Sequence, residues 1–295
     1  MILLDQLSPL GIGTSRVGSL GSRLSPAYFG AMLSAAAEKG VNLIDTADAY
    51  GSGDAERLIG TCIRNDRSAF FVMTKAGIPH VHTPGWLSPL NQVGKKIKAK
   101  MGASKNYAAD YLIQSLHKSN QRLGIEQADA FLLHEPEWHH VAGGDAWAGL
   151  EKIRQTGLAR YTGASTNDYR VVEEGIRAGQ LQVVQLSTAW NSSATDAIIS
   201  LCRQHHVTTV ANNVLQPAKA LREPFVRMAS AIHRLDGLEG LSLVQLLIAA
   251  VLIQKNVNTA LIGTTNQDHL KANLQALRYV TPLANQLATI NQLLS

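Results

Sequence analysis

Four ionisable residues follow apolar, strand-like runs in the first half of the chain. Asp45 ends one run and Tyr50 follows it by five residues, while Lys75 and His134 end two further runs. A phenol has an unperturbed pKa near ~10, so a tyrosine that protonates a substrate at neutral pH needs a cation nearby. We expect the Lys75 ammonium to lower the pKa of Tyr50, and the Asp45 carboxylate to hold that ammonium in place. The pattern predicts proton transfer between Tyr50 and a substrate oxygen that His134 orients.

Each of these residues also has an ordinary structural explanation. Asp45 is compatible with a turn or helix cap, Lys75 with a strand end that extends its charge to solvent, and His134 with a hydrogen-bonded core histidine. Taken one at a time, these explanations are at least as good as a catalytic one. Three successive strand ends that each contribute one member of a proton-transfer set favour a shared site.

Strand-like apolar runs alternate with helix-period segments along the chain, which is typical of βα units around a parallel sheet. The runs show little alternation, as expected for strands covered on both faces. Ser25-Pro26 marks the start of the first helix, and Gly40 follows its end. The sequence predicts a single-domain (β/α)8 TIM barrel with a helical tail from about residue 279; a doubly wound open sheet is the structural alternative. The predicted strands are Leu10–Thr14, Val41–Thr46, Phe70–Lys75, Ala130–His134, Arg160–Ser165, Val183–Ser187, Thr208–Ala211 and Thr259–Gly263.

The composition is typical of a globular protein. The 295 residues are 45% hydrophobic and 17% charged, and 27 basic against 22 acidic residues give a net charge of +5. This mild excess does not indicate nucleic-acid binding, and the basic run 95–100 lacks interleaved aromatic residues, so we interpret it as a solvated surface.

Cys62 and Cys202 lie in apolar helical patterns and are expected to be buried thiols in a reducing compartment. The N-terminus lacks a signal-peptide pattern and the apolar stretch 241–253 is too short to span a bilayer, so a cytoplasmic protein without a membrane partner is expected.

Short motifs occur in a specific order over almost the whole chain. They are Leu10 to Thr14, Asp45 to Ala47 with Tyr50-Gly51, Glu56 and Gly60, Thr74-Lys75, Ser115-Leu116, Arg122-Leu123, Leu132 to His134, Gly163 to Ser165, Gln185, Ile262 to Thr264, and Asn273. In this order they resemble the aldo-keto reductase superfamily. The resemblance implies a (β/α)8 barrel that binds NADPH or NADH without a Rossmann domain. It also implies that Asp45, Tyr50, Lys75 and His134 form a catalytic tetrad.

The same resemblance implies a set of cofactor contacts. Ser165 and Gln185 would hydrogen-bond the nicotinamide carboxamide, and the cofactor would supply the hydride. Residues that would line the adenosine and its phosphates are Gly263, Thr264, Thr265, His269 and Asn273. Further implied cofactor-binding positions are Gly13, Thr14, Thr166 and Asn212.

Three departures from the family pattern concern the cofactor. Asn212 stands where the family usually places a tyrosine that stacks on the nicotinamide, and Thr166 stands where an asparagine often follows the strand-five serine. Members that prefer NADP often bind its 2′-phosphate with a lysine and an arginine. In this chain Gly263 stands at the lysine position and His269 at the arginine position. Without a bidentate guanidinium, phosphate recognition is weakened. The sequence therefore predicts NADP or NAD as cofactor, without a strong bias towards NADP.

The substrate is less defined, because in this architecture the loops select it. Trp86, Trp138 and Trp190 are candidate pocket walls, although a tryptophan that only packs a loop is an equally good explanation. The resemblance implies a reductase or alcohol dehydrogenase that acts on aldehydes, ketones or sugars, as a monomer or weak homo-oligomer.

Two other functions compete with this one. A cofactor-binding regulatory or accessory protein of the same fold is motivated by Asn212, whereas the complete tetrad argues against it. A metal-dependent hydrolase would use His134, Glu135, His139, His140 and Asp48. The spacing from His134 to His139 does not match a helical HExxH pair, because Pro136 intervenes, and no metal is expected.

Overall fold

A closed barrel of eight parallel strands forms the centre of the protein. The computed structural model describes residues 2–17, 24–79 and 105–294. Each strand pairs with the next along the chain, and β1 pairs with β8, so the sheet has no free edge. The strands are β1 (Leu10–Gly13), β2 (Leu43–Asp45), β3 (Phe71–Ala76), β4 (Ala128–His134), β5 (Ala159–Ser165), β6 (Val183–Ser187), β7 (Thr208–Asn212) and β8 (Thr259–Ile262).

Helices surround the barrel. They are α1 (Pro26–Ala37), α2 (Asp54–Ile63), α3 (Ala109–Leu123), α4 (Trp138–Val141), α5 (Asp145–Gln155), α6 (Tyr169–Arg177), α7 (Asp196–Gln204), α8 (Ala218–Ile232), α9 (Leu243–Gln254), α10 (Gln267–Leu274) and α11 (Val280–Leu294). None of these helices is both long and apolar enough to cross a membrane. The last helix, α11, lies in the predicted tail and packs against α8 and α9.

Helix boundaries follow local capping chemistry. The Ser25 hydroxyl accepts a hydrogen bond from the Tyr28 N–H at the start of α1, where Pro26 is the first helical residue. At the start of α9, the Ser242 and Gln245 side chains each accept a hydrogen bond from the other residue's backbone N–H. The predicted start of the first helix is therefore confirmed.

The observed strands confirm the predicted barrel and exclude the open-sheet alternative. Each predicted strand overlaps an observed one, and the bounds differ by about two residues at most. The largest differences are at β2, which begins at Leu43, and at β4, which begins at Ala128. One of the two cysteines differs from expectation, because Cys62 is only partly buried while Cys202 is fully buried.

Side chains that point into the barrel change from apolar to polar along five of the eight strands. Because successive residues of a strand face opposite sides, positions two apart share the interior. A small apolar cluster fills the middle of the barrel. Two residues further along these strands, at their carboxyl ends, a polar side chain follows the apolar one. The apolar residue and the polar residue that follows it are Leu43/Asp45, Met73/Lys75, Leu132/His134, Val183/Gln185 and Val210/Asn212. The barrel therefore presents its buried polar groups at the end where active sites of this architecture lie.

Candidate active site

A cavity of about 480 Å³ opens at the carboxyl ends of the strands. Asp45, Tyr50 and His134 line it, and Lys75 lies fully buried beneath it. Opposite them, Ser165, Gln185 and Asn212 are among the lining residues. The structure thus brings the four proposed catalytic residues together at one cleft, although they are distant along the chain.

A chain of hydrogen bonds crosses the floor of the cavity. The Lys75 ammonium donates to Asp45 Oδ1 at 2.5 Å, and Gln185 Nε2 donates to the same oxygen at 2.9 Å. Ser165 Oγ donates to Gln185 Oε1 at 2.7 Å. All four residues are at least nine-tenths buried. The network fixes the ammonium against its carboxylate and leaves the Ser165 oxygen able to accept a further hydrogen bond.

Tyr50 projects from a tight turn between β2 and α2. The backbone of Gly51, Ser52 and Gly53 has φ values of 57°, 59° and 90°. This left-handed conformation suits glycine and strains a serine. The Asp48 N–H donates to the Lys75 carbonyl at 3.0 Å, which ties the segment leading to Tyr50 to the end of β3.

The Tyr50 ring lies against both Lys75 and His134. Lys75 Nζ is 5.2 Å from the ring centroid, and the His134 ring packs on it edge to face at 5.8 Å between centroids. The Tyr107 hydroxyl donates to the His134 carbonyl at 2.7 Å, and the Glu135 N–H donates to the Ser165 carbonyl at 2.9 Å. These backbone contacts hold the end of β4, and with it the imidazole, next to the phenol.

The electrostatics of the site differ in one respect from the expectation. Burial raises the pKa of Tyr50, and the nearby Lys75 ammonium lowers it only in part, so the net pKa is above its ordinary value. Burial alone would lower the pKa of Lys75, but the Asp45 carboxylate and Tyr50 outweigh it and raise that pKa. Burial also raises the pKa of Asp45, against the opposing effect of Lys75. The expected lowering of the Tyr50 pKa is present as a contribution and is outweighed by desolvation, which sequence does not reveal.

The residues assigned to the cofactor fall into three groups. Those that line the cavity are Gly13, Ser165, Gln185, Asn212 and Gly263. Two others use their hydroxyls for the fold, because Thr14 Oγ1 donates to the Asp45 carbonyl at 2.8 Å and Thr166 Oγ1 donates to the Pro136 carbonyl at 2.7 Å. The remaining ones lie on the segment from β8 into α10 and are Thr264, Thr265, His269 and Asn273. The residues of this last group do not line the cavity.

The start of α10 already has partners for its backbone N–H groups. Asn266 Oδ1 accepts from the N–H groups of Asp268 and His269, at 2.8 and 3.0 Å. The Tyr28 hydroxyl accepts from the Gln267 N–H at 3.1 Å. The His269 side chain is exposed. A phosphate that binds here would displace these capping bonds or use side chains instead.

One unsatisfied atom fits a carboxamide ligand. Asn212 Oδ1 is buried and has no hydrogen-bond partner among the described residues. Buried acceptors without partners are rare and call for an explanation. Asn212 lines the same cavity as Ser165, whose oxygen can also accept, so the wall offers two acceptors to an amide N–H donor. These residues fit the nicotinamide carboxamide, although no aromatic ring stands at this position.

The tryptophan candidates are less well supported. Trp138 is half-buried and is not among the residues lining the cavity. Its backbone N–H donates to Asp168 Oδ2 at 2.8 Å, and the Arg170 guanidinium lies 5.7 Å from its ring. Trp190 is buried in the core between sheet and helices. Trp86 lies outside the described residues. Neither of the two described candidates, Trp138 and Trp190, lines this cavity.

Several cavity residues were not expected from the sequence. They are Ser15, Arg16, Ala49, Ile78, Asn213, Val214, Leu215 and Leu261. Most belong to loops that follow strands, where sequence patterns do not fix side-chain direction. The position of Arg16, two residues beyond the Leu10 to Thr14 run, was the one available signal.

A metal site and a second cavity are weaker candidates for the functional site. Among the described residues, no group of three or more His, Cys, Asp and Glu side chains is arranged to hold a metal ion. A larger cavity of about 640 Å³ lies at the opposite end of the barrel, next to Tyr161 and Thr208. It contains none of the proposed catalytic residues, and active sites of this architecture lie at the other end.

Comparison with known proteins agrees with the fold. The model of the Aldo/keto reductase family matches residues 9–294. The chain is 27% identical over 215 positions to the D-threo-aldose 1-dehydrogenase of a Pseudomonas species, covering 70% of this chain and 65% of that protein. It is 25% identical over 309 positions to the NADH-specific methylglyoxal reductase of Escherichia coli K12, covering 92% and 90%. The holo form of an aldo-keto reductase from Bacillus halodurans has a TM-score of 0.75 at 20% identity, covering 98% of this chain and 93% of that one. The chain therefore belongs to the aldo/keto reductase family.

Proposed function

We propose that the protein is an NAD(P)-dependent oxidoreductase that reduces aldehydes or ketones, or oxidises the corresponding alcohols or sugars, with Tyr50 as general acid and base. The observation that carries this proposal is the contact of the Tyr50 ring with both His134 and the buried Lys75–Asp45 pair, at one cavity. Membership of a family whose relatives include a dehydrogenase and a reductase supports it.

Proton transfer follows from the protonation states of the buried groups. With its pKa above the ordinary value, Tyr50 is a neutral phenol at pH 7 and can donate its proton to a substrate oxygen as negative charge develops there. The adjacent Lys75 ammonium stabilises the phenolate that results, and Asp45 holds the ammonium. In the reverse direction, the phenolate accepts the proton of an alcohol. Proton transfer of this kind contributes about 10²–10⁴-fold to rate.

The other cavity residues orient the reactants. His134 shares the rim with Tyr50 and donates to the same substrate oxygen, which directs the carbonyl towards the phenol. Ser165, Gln185 and Asn212, which line the opposite wall, would hold the nicotinamide carboxamide. A bound nicotinamide cofactor supplies or accepts the hydride. The protein supplies position and exclusion of water.

The proposed cofactor is NADP or NAD without a strong preference. Support comes from Gly263 and the exposed His269, which offer no bidentate guanidinium for a 2′-phosphate. A relative with 90% of its length covered is named as NADH-specific. Titration with NADPH and with NADH, followed by protein fluorescence, should give dissociation constants within tenfold of each other. A preference for NADPH of tenfold or more contradicts the proposal.

The proposed substrates are small aldehydes, ketones or aldoses. The relatives named after methylglyoxal and D-threo-aldose support this class. A cavity of about 480 Å³ must also hold the reacting end of the cofactor, which favours small substrates. A panel of such compounds with both cofactors, read by absorbance of the reduced nicotinamide, identifies the best one.

Replacement of Tyr50 by Phe tests the assigned role. Turnover should fall by at least two orders of magnitude while nucleotide affinity stays within about twofold, because the ring and its packing remain. Tyr161→Phe is the matched control: this tyrosine stacks on Phe71 at 6.0 Å, near the opposite end of the barrel, and its loss should leave turnover unchanged. Equal turnover in Tyr50→Phe and the intact protein removes Tyr50 from the mechanism. Nucleotide binding without turnover in the intact protein supports the accessory role that the Asn212 position suggests.

A further inference from the structure

A second buried ion pair lies outside the cavity, in the layer between the barrel and its helices. Glu56 of α2 is completely buried, and its Oε2 accepts a hydrogen bond from Arg122 Nε of α3 at 2.6 Å. Its other oxygen accepts from Thr74 Oγ1 at 2.6 Å. Arg122 also donates to Ser119 Oγ at 2.9 Å. Neither member of the pair lines the cavity.

One end of this network connects to Lys75. Thr74 directly precedes Lys75 on β3, and neighbouring strand residues face opposite sides. The Thr74 hydroxyl therefore meets the helix layer while the Lys75 side chain enters the barrel. The bond from Thr74 to Glu56 fixes the distance between α2 and the strand that carries the ammonium.

The other end reaches the Tyr50 turn. Helix α2 begins at Asp54, directly after this turn, so the docking of α2 sets where the turn can lie. At Gly53, a Cβ atom would lie 2.7 Å from Arg122 Cδ and 2.8 Å from Arg122 Nε. The arginine therefore passes directly over the backbone of the turn, at a position that only glycine accommodates. The left-handed residues of the turn have few alternative conformations that keep this contact.

Electrostatics link the pair to the same region. The Asp48 carboxyl is buried; burial and the charge of Glu56 raise its pKa well above the usual range, whereas Arg122 and Lys75 oppose this shift. A buried ion pair is seldom a gain in stability over well-packed apolar side chains. Its directional bonds, however, fix distances in a way that apolar packing does not. Here the bond from Thr74 to Glu56 ties α2 to the strand that carries the ammonium, and Arg122 lies against the Tyr50 turn.

We infer that Glu56 and Arg122 are positioning residues, which hold the Tyr50 turn against the Lys75 strand so that the phenol and the ammonium stay in contact. This inference deepens the proposed function and rests on it for its catalytic consequence. Loss of the pair loosens the contact between ring and ammonium, which is 5.2 Å in the intact site. Displacements of about 1 Å at a catalytic group can reduce rate by about 10²-fold.

The test compares Arg122→Gln with Arg160→Gln. Both arginines pair with a buried carboxylate, and their side chains are 9% and 13% exposed. Arg160 bonds Asp129, which is near the opposite end of the barrel. The first readout needs no turnover: the ¹³Cζ NMR signal of Tyr50, assigned by its loss in Tyr50→Phe, should shift in Arg122→Gln and stay in place in Arg160→Gln. The second readout is kcat, which should fall about 10- to 100-fold in Arg122→Gln alone, with KM and nucleotide affinity within about twofold.

A shape-conserving variant covers the case in which Arg122→Gln does not fold. Thr74→Val keeps the volume of the side chain and removes its bond to Glu56, so it should move the Tyr50 signal and lower kcat in the same direction. Arg122→Lys retains the cation and should restore part of the lost kcat. An unmoved Tyr50 signal in folded Arg122→Gln and Thr74→Val overturns the inference, as does a kcat loss no larger than that of Arg160→Gln. If the intact protein has no turnover, the proposed function fails, while the NMR readout still decides whether the pair positions Tyr50.

Discussion

Removal of Lys75 should expose the energetic cost of the buried ion pair on which the site depends. Lys75 Nζ lies 2.5 Å from Asp45 Oδ1, and the exposed fraction of the two residues is 0% and 4%. In Lys75→Met the Gln185 amide is the one hydrogen-bond donor that the Asp45 carboxylate keeps among the described side chains. Breaking a buried pair in this way costs about 3–5 kcal/mol, which is a large part of the 5–15 kcal/mol typical of a folded domain.

The double variant Asp45→Asn/Lys75→Met should recover most of this loss. Neither buried side chain then carries a charge, because a neutral amide replaces the carboxylate. We therefore expect the free energy of unfolding to fall by no more than about 2 kcal/mol. Urea unfolding of the intact protein, both single variants and the double variant measures the free energy of unfolding and the coupling between the two sites. A single Lys75→Met variant that is no less stable than the double variant refutes this account of the pair.

The loss in Lys75→Met should depend on pH in a defined direction. Burial raises the pKa of Asp45 even in the presence of the ammonium, so without Lys75 its folded-state pKa lies further above the unfolded value near ~3.9. Stability then falls as pH rises from the unfolded pKa through the folded pKa, because the folded state binds more protons in that window. Lowering the pH from 8 to 5 should therefore reduce the stability difference between Lys75→Met and the intact protein. An unchanged difference indicates that Asp45 does not carry the buried charge.

Further predictions concern individual residues. Because the pKa of Tyr50 is raised, alcohol oxidation should increase with pH by up to about tenfold per unit between pH 7 and 10 while carbonyl reduction does not, as measured by kcat in both directions. Asn212→Ala should weaken nucleotide binding by roughly two- to tenfold, since a hydrogen bond contributes about 0.5–1.5 kcal/mol; fluorescence titration measures it. Asp129→Ala leaves two arginines without their carboxylate and should cost about 3–5 kcal/mol in urea unfolding with kcat unchanged. Gly60→Ala places a Cβ 2.4 Å from the Leu123 carbonyl oxygen and should lower stability by about 1–3 kcal/mol, measured in the same way.

The fold was predictable because its signal is repeated eight times. Each strand of a closed parallel barrel is covered on both faces, so it appears in the sequence as an apolar run followed by a helical pattern. The residues at which a strand begins and ends depend on tertiary contacts. At β2, Asn42 uses its side chain to accept from the Ser8 N–H at 2.8 Å, and the regular strand begins only at Leu43.

The positions of site residues at strand ends were predictable, because the direction of the strands determines them. Asp45, Lys75 and His134 end strands, so the architecture alone places them at one face. Loop residues such as Arg16 and Asn213 were missed, because their side-chain directions depend on turns that have no simple sequence pattern. The direction of the Tyr50 pKa also depends on burial, a property of the assembled barrel.

The three left-handed residues after Tyr50 have a consequence for protein engineering. Gly51 and Gly53 take up the conformation at little cost, whereas Ser52 does so at φ 59° with its hydroxyl buried. Randomising this segment to alter substrate preference would mostly yield misfolded clones, since nearly every side chain resists that backbone. Laboratory evolution of new specificities should therefore diversify the loops after β1 and β7 and leave the Tyr50 turn untouched.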